Sequence, residues 1–127
     1  MAKVNMEIKI FAEDIEAVAE LYKTPTAEAI YNLLPLDGAA NRWGDEIYFV
    51  LPLRIDIEND ATDVVEEGDI AYWPEGRCFC IFFGTTPASI EGEIKAVSKV
   101  NIFGKIKGDP TIFKDVQNGD LIVVEKG

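Results

Sequence analysis

Gly68-Asp-Ile-Ala-Tyr-Trp-Pro-Glu-Gly76 and the following Phe79-Cys-Ile-Phe-Phe-Gly-Thr-Thr-Pro87 crowd phenylalanines, Tyr72 and Trp73 into twenty residues. Aromatic and β-branched runs ended by Pro and Gly read as strands, here 69–73 and 78–83. Large rings beside tight turns commonly wall a concave apolar pocket. Working outward, Val4, Met6, Ile8 and Ile10 alternate with Asn5, Glu7 and Lys9, the period of a half-buried strand. Residues 14–22 read as a second strand paired through Ala12-Glu13-Asp14, a helix being the other reading. Thr24-Pro25 is a helix start, with threonine at the cap and proline in the first turn. Ala27, Ile30, Tyr31 and Leu34 then fall at helical spacing, and Pro35 with Asp37-Gly38 ends the helix.

Further strands are expected at 46–51, 54–57, 96–106 and 121–124, the last apolar on both faces. Asp109-Pro110 opens a second short helix carrying Ile112, Phe113 and Val116 inward, and Asn118-Gly119 makes a turn. About eight short strands and two short helices predict a mainly β fold: a closed barrel capped by the helices. No repeat or linker divides the chain, so one domain is expected over 1–127.

Composition sets the limits on function. With 48% apolar residues, a chain of 127 residues can bury a core without a covalent staple. No apolar run approaches the ~20 residues of a membrane helix, and Met1-Ala-Lys-Val-Asn-Met-Glu-Ile lacks a signal-peptide core, so a cytoplasmic protein is expected. The net charge of −11, from 23 acidic and 12 basic residues, disfavours nucleic acid and anionic membrane as partners. There is no histidine, which removes the commonest general base and metal ligand. Cys78 and Cys80 lie two apart in one apolar run, a spacing that rarely reaches disulfide geometry, and read as buried thiols. Asp56, Glu58, Asp60, Asp63, Glu66, Glu67 and Asp69 form an acidic stretch. It lacks the glycine of a calcium-binding loop and reads as solvated surface. Neither a metal nor a cofactor is expected.

In order along the chain, several segments resemble the cyclophilins. Thr24-Pro-Thr-Ala-Glu-Ala-Ile-Tyr-Asn-Leu-Leu34 is similar to their first helix. Gly68-Asp-Ile-Ala-Tyr-Trp73 with Phe82-Phe83 resembles the strand pair beside their proline pocket. Val100-Asn-Ile-Phe-Gly-Lys-Ile-Lys-Gly108 resembles the segment before their second helix. Asn41-Arg-Trp-Gly-Asp-Glu-Ile-Tyr-Phe49, the Tyr72-Trp-Pro74 run and Phe82-Phe-Gly84 are closer still to small uncharacterised prokaryotic proteins of cyclophilin-like fold. The resemblance implies the fold and a pocket, without a settled activity.

A prolyl isomerase lowers a barrier of about 18–20 kcal/mol with a dry apolar pocket and a guanidinium aimed at the prolyl nitrogen. The resemblance puts Phe83 on the pocket floor and leaves Arg42 as the one candidate arginine. Val100 stands where the cyclophilins carry a histidine, Lys95 is nearest the missing loop tryptophan, and Gln117 lies in the second helix. Trp73 occupies a position the family keeps small. No catalytic residue is therefore assigned. The expected function is that of a binding domain, inactive or weakly active. Its aromatic groove would comprise Trp43, Tyr48, Tyr72, Trp73 and Phe83, with Arg42 as polar anchor for a short peptide or small metabolite. The alternatives are a prolyl isomerase with a reduced site and a subunit of a larger enzyme assembly. Oligomeric state is left open.

Overall fold

A computed structural model of the protein describes residues 6–127. Val4 and Asn5 of the first expected strand lie outside the described residues. Strands β1 (Met6–Ala12) and β2 (Ile15–Leu21) form an antiparallel hairpin in register from Met6↔Leu21 to Ala12↔Ile15. Helix α1 (Pro25–Leu33) starts as its sequence dictates. The Thr24 hydroxyl accepts a 3.0 Å hydrogen bond from Ala27 N, and Pro25 takes a position where no N–H is needed. Thr26, Ala27 and Ile30 are the face it buries.

The chain continues through β3 (Leu36–Ala39), β4 (Asn41–Arg42), β5 (Glu46–Val50), β6 (Thr62–Val65), β7 (Asp69–Trp73), β8 (Cys78–Phe82) and β9 (Ile94–Lys107). A 3-10 helix (Pro110–Asp115) and β10 (Leu121–Lys126) complete it. The strands pair in the order β3-β10-β1-β2-β9-β7-β8-β5-β4, with β6 added along the first half of β9. The sheet thus begins and ends on β3 and β4, neighbours in sequence on either side of Ala40, and must curl back on itself. No ladder joins β3 to β4, so the pairing is open at that seam.

Three short strands, β3, β4 and β6, exceed the sequence expectation. Gly38, expected only to help end the helix, stands inside β3, where Phe49 of β5 packs closely against it. A Cβ on Gly38 would lie 2.8 Å from the Phe49 ring. The strand β10 carries apolar residues on both faces but buries only one: Ile122 and Val124 are buried, while Val123 is half-buried and Leu121 exposed.

Residues 54–57, expected as a strand, are irregular, and their backbone is held by buried side chains instead. Tyr72 Oη donates to Leu53 O (2.7 Å) and accepts from Ile55 N (3.2 Å). Asn101 Oδ1 accepts from Glu58 N (2.8 Å), and its Nδ2 donates to Asp56 O (3.0 Å) and Thr26 Oγ1 (3.1 Å). The Glu58 carboxylate accepts from both the amide and the hydroxyl of Thr26. It thereby places a negative charge at the start of α1, where the free N–H groups and the helix dipole favour one.

The acids of the 56–69 stretch are dispersed among such roles. Asp63 pairs with Lys95 (3.4 Å), Glu66 with Lys105 (2.9 Å), and Asp69 accepts from Glu66 N. Among the described residues, no group of three or more Cys, Asp or Glu is placed to share a metal ion, and no helix is long and apolar enough to cross a membrane.

Replacing Asn101 by alanine strands the Glu58 amide and the Asp56 carbonyl together. We expect Asn101→Ala to lower unfolding free energy by about 2 kcal/mol. The exposed Asp60→Asn should stay within about 0.5 kcal/mol of the parent. Urea denaturation followed by circular dichroism measures both.

Candidate functional site

The ladder of β5, β8 and β7 sends alternate side chains to opposite faces. Ile47 and Phe49, Phe79 and Ile81, and Ile70 and Tyr72 enter the main core, which also holds Phe83 and Phe103. Cys78, Cys80, Phe82 and Ala71 enter a second apolar cluster on the outer face, joined by Val65, Ala96 and Val100 from the arm formed by β6 and β9. Tyr48 and Trp73 pack against it half-buried.

The six residues expected to share one groove are consequently divided. Tyr72 is wholly buried, and its hydroxyl is occupied by Leu53 and Ile55. Phe83 is wholly buried against Phe113, the ring centroids 6.2 Å apart. Above Phe83 lies Arg42, its guanidinium carbon 5.0 Å from the ring centroid. The guanidinium donates through Nε to Gly44 O (2.9 Å), through Nη1 to Lys114 O and Val116 O (both 2.8 Å), and through Nη2 to Asp45 Oδ1 (3.2 Å). Arg42 thus ties the β4–β5 turn to the end of the 3-10 helix. Beside it is an open depression of about 710 Å³ lined by Arg42 and residues 114–118.

Of the other three aromatic residues, Tyr48 and Trp73 come together on the outer face. Tyr48 and Trp73 meet edge to face, with centroids 6.4 Å apart and planes at 79°. Trp73 Nε1 donates to Ser98 Oγ (2.7 Å). The indole also lies so close over Gly76 that a Cβ there would come within 2.4 Å of the ring. This ring is fixed from three sides. Trp43 closes the β4–β5 hairpin opposite Glu46, with backbone hydrogen bonds in both directions (2.9 and 3.2 Å). Directly opposed residues of antiparallel strands share a face, so Trp43 stands on the side of Glu46 and Tyr48.

Glu46 is the residue that sequence reasoning passed over. It is only 6% exposed, on the same face as Tyr48 and across from Phe82. Burial pushes its carboxyl up to about 7, opposed by the neighbouring Cys80 thiol. Burial, and next the nearby Glu46, pushes the Cys78 thiol up to about 11; the same causes raise Cys80 well above the ordinary thiol range. Both are protonated at neutral pH and poor nucleophiles. Tyr48 is raised first by burial and then by Cys78, Glu46 and Cys80. A sequence signal for Glu46 existed. A carboxylate two residues from Tyr48 in an apolar strand must share its face, and that face is covered once β6 is recognised.

A profile of the Cyclophilin-like family matches residues 6–125, and the chain belongs to that family. It is similar to the solution structure of the hypothetical protein AF2241 from Archaeoglobus fulgidus, with 40% identity, a TM-score of 0.82, and coverage of 99% of this chain and 98% of the other. No curated protein matches it.

The raised Glu46 carboxyl has a consequence for stability. The folded protein holds that proton more tightly than the unfolded chain, so the contribution is full below 4.5 and is lost as pH rises through about 7. At 1.36 kcal/mol per unit the loss is about 3 kcal/mol. Urea denaturation at acid and mildly alkaline pH should show Glu46→Gln gaining on the parent protein as pH increases. An unchanged difference between the two proteins would contradict the burial of this charge.

Proposed function

We propose that this member of the Cyclophilin-like family is a binding domain that takes a short peptide or small metabolite on its outer face, against Tyr48 and Trp73. The carrying observation is the Tyr48–Trp73 edge contact. Two large amphipathic rings are half-exposed over a closed apolar layer, and one is immobilised by Ser98 and Gly76 before any ligand arrives. Rings held in place lose little freedom on binding, so more of their contact energy is expressed as affinity. Trp43, sharing the face of Glu46, extends the same surface.

This reading moves the site relative to the sequence expectation. Tyr72 and Phe83 serve the core, and Arg42 serves the 3-10 helix. Prolyl isomerisation through Arg42 and Phe83 would require a guanidinium free to reach the substrate nitrogen and a phenylalanine floor open to the ring. Four of the guanidinium N–H bonds are already directed at protein oxygens, and Phe83 is 0% exposed. The domain therefore works by recognition, and its curled sheet serves as a rigid barrel-like support for that face.

Chemical-shift mapping on the labelled protein tests this with a panel of short peptides, including an Ala-Pro tetrapeptide. We expect the Trp73 indole N–H to respond, Trp73→Ala to abolish saturable binding, and Tyr72→Phe to retain it. Exchange spectroscopy on the tetrapeptide should show no acceleration of an isomerisation that takes tens of seconds or longer uncatalysed. Acceleration removed by Arg42→Ala, or shifts confined to Arg42 and residues 114–118, would refute the proposal.

A further inference from the structure

We infer that Asn118 is a modification site, at which this chain deamidates spontaneously to aspartate and isoaspartate. The fold holds the reaction back until residues 117–120 come away from residues 40–42. Asn118 alone among the chain's asparagines is followed by glycine, and a residue without a side chain leaves its backbone nitrogen open to approach. That nitrogen, on giving up its proton to a base in solvent, attacks Cγ of Asn118. An N–C bond forms, the Cγ–Nδ2 bond breaks, and ammonia leaves with a proton taken from water. Water then opens the resulting imide at one carbonyl to give aspartate, or at the other to give isoaspartate. Asn118 is exposed and lines the open depression beside Arg42, where water and hydroxide reach it.

The reacting groups are nevertheless held in place by the seam of the sheet. Arg42 N donates to Asn118 Oδ1 (2.6 Å), Gly119 N to Ala40 O (2.8 Å), and Ala40 N to Asp120 O (2.8 Å). Gln117 O accepts from Asp120 N (3.1 Å), which closes a four-residue turn. Gly119 stands third in that turn at φ +90°, while Asn118 before it has no positive φ. This is the type II turn, with ψ of its second residue at about +120°. Attack requires ψ of Asn118 on the negative side, which swings the glycine nitrogen toward Cγ. The turn must therefore open, and the Gly119–Ala40 hydrogen bond must break, before the imide can close. Isoaspartate inserts a methylene into the main chain at residue 118. The bonds to Arg42 N and Ala40 O then no longer fit one register, so an opening of the seam leaves a permanent mark.

The test holds the full chain at mildly alkaline pH, once folded and once in guanidinium chloride, and samples both by tryptic mapping. The fragment 115–126 carries Asn118 as its sole asparagine, and enzymatic methyl transfer to isoaspartate measures the product. In denaturant this fragment should be modified before any other that contains asparagine. In the folded protein its modification should be at least about tenfold slower, since only the opened turn reacts. Arg42→Ala, which releases the Lys114 and Val116 carbonyls, should speed the folded protein's reaction and leave the denatured rate unchanged. Hydrogen exchange at the Gly119 amide reads the same opening without any variant, and should be protected in the parent protein. Equal rates in the folded and denatured chains would overturn the inference. So would earlier modification of another asparagine in denaturant, or a Gly119 amide that exchanges as fast as in an unfolded chain.

Discussion

The register of the β5–β8–β7 ladder is the constraint from which the rest of this molecule follows. Ile47↔Ile81 and Ile70↔Ile81 place three isoleucines side by side in the core, and every other residue along these strands is then assigned a face. A slip of one residue would exchange Tyr72 for Trp73 and Phe49 for Tyr48, sending hydrogen-bonding side chains the wrong way throughout. Two apolar clusters on opposite sides of one sheet reinforce the same register, because both would be disrupted together.

Polar side chains do what strand ladders do elsewhere in the fold. Residues 51–61 form no regular element, yet their carbonyls and amides find Tyr72 and Asn101, side chains projected from β7 and β9. Buried backbone groups demand partners whatever their local conformation. Glu58 extends the principle to α1, bringing a carboxylate from thirty-two residues away to its first turn. Arg42 does the same for the carbonyls that end the 3-10 helix. These residues carry charge, hydroxyl or amide groups and so resemble ligand contacts, but the chain itself is what they bind.

What remains for an external partner is defined by what the fold leaves unsatisfied. On the core side Phe49, Tyr72, Phe79, Phe83, Phe103 and Phe113 are enclosed. On the outer face Tyr48 and Trp73 are half-buried over the second apolar cluster, and Glu46 shares the face of Tyr48 without an ion-pair partner among the described residues.

Much of the architecture was legible from local pattern. Alternation placed β1, β2, β5, β7, β8, β9 and β10, and the Thr24-Pro25 and Asp109-Pro110 pairs marked both helix starts, because these signals depend on residues close in sequence. The strands β3 and β6 were hidden because each is stabilised by a distant partner, β3 by β10 and Val65 by Ile94, and β4 because it is only two residues long, Asn41 and Arg42 pairing with β5 across a tight turn. The sequence by itself determined the mainly β class, the aromatic supply and the acidic charge, which are properties of composition and period. Only the tertiary structure decided which rings face water, which arginine is already occupied and which carboxylate is buried without a counter-ion. Those outcomes depend on contacts between segments far apart in the chain, and no local pattern encodes them.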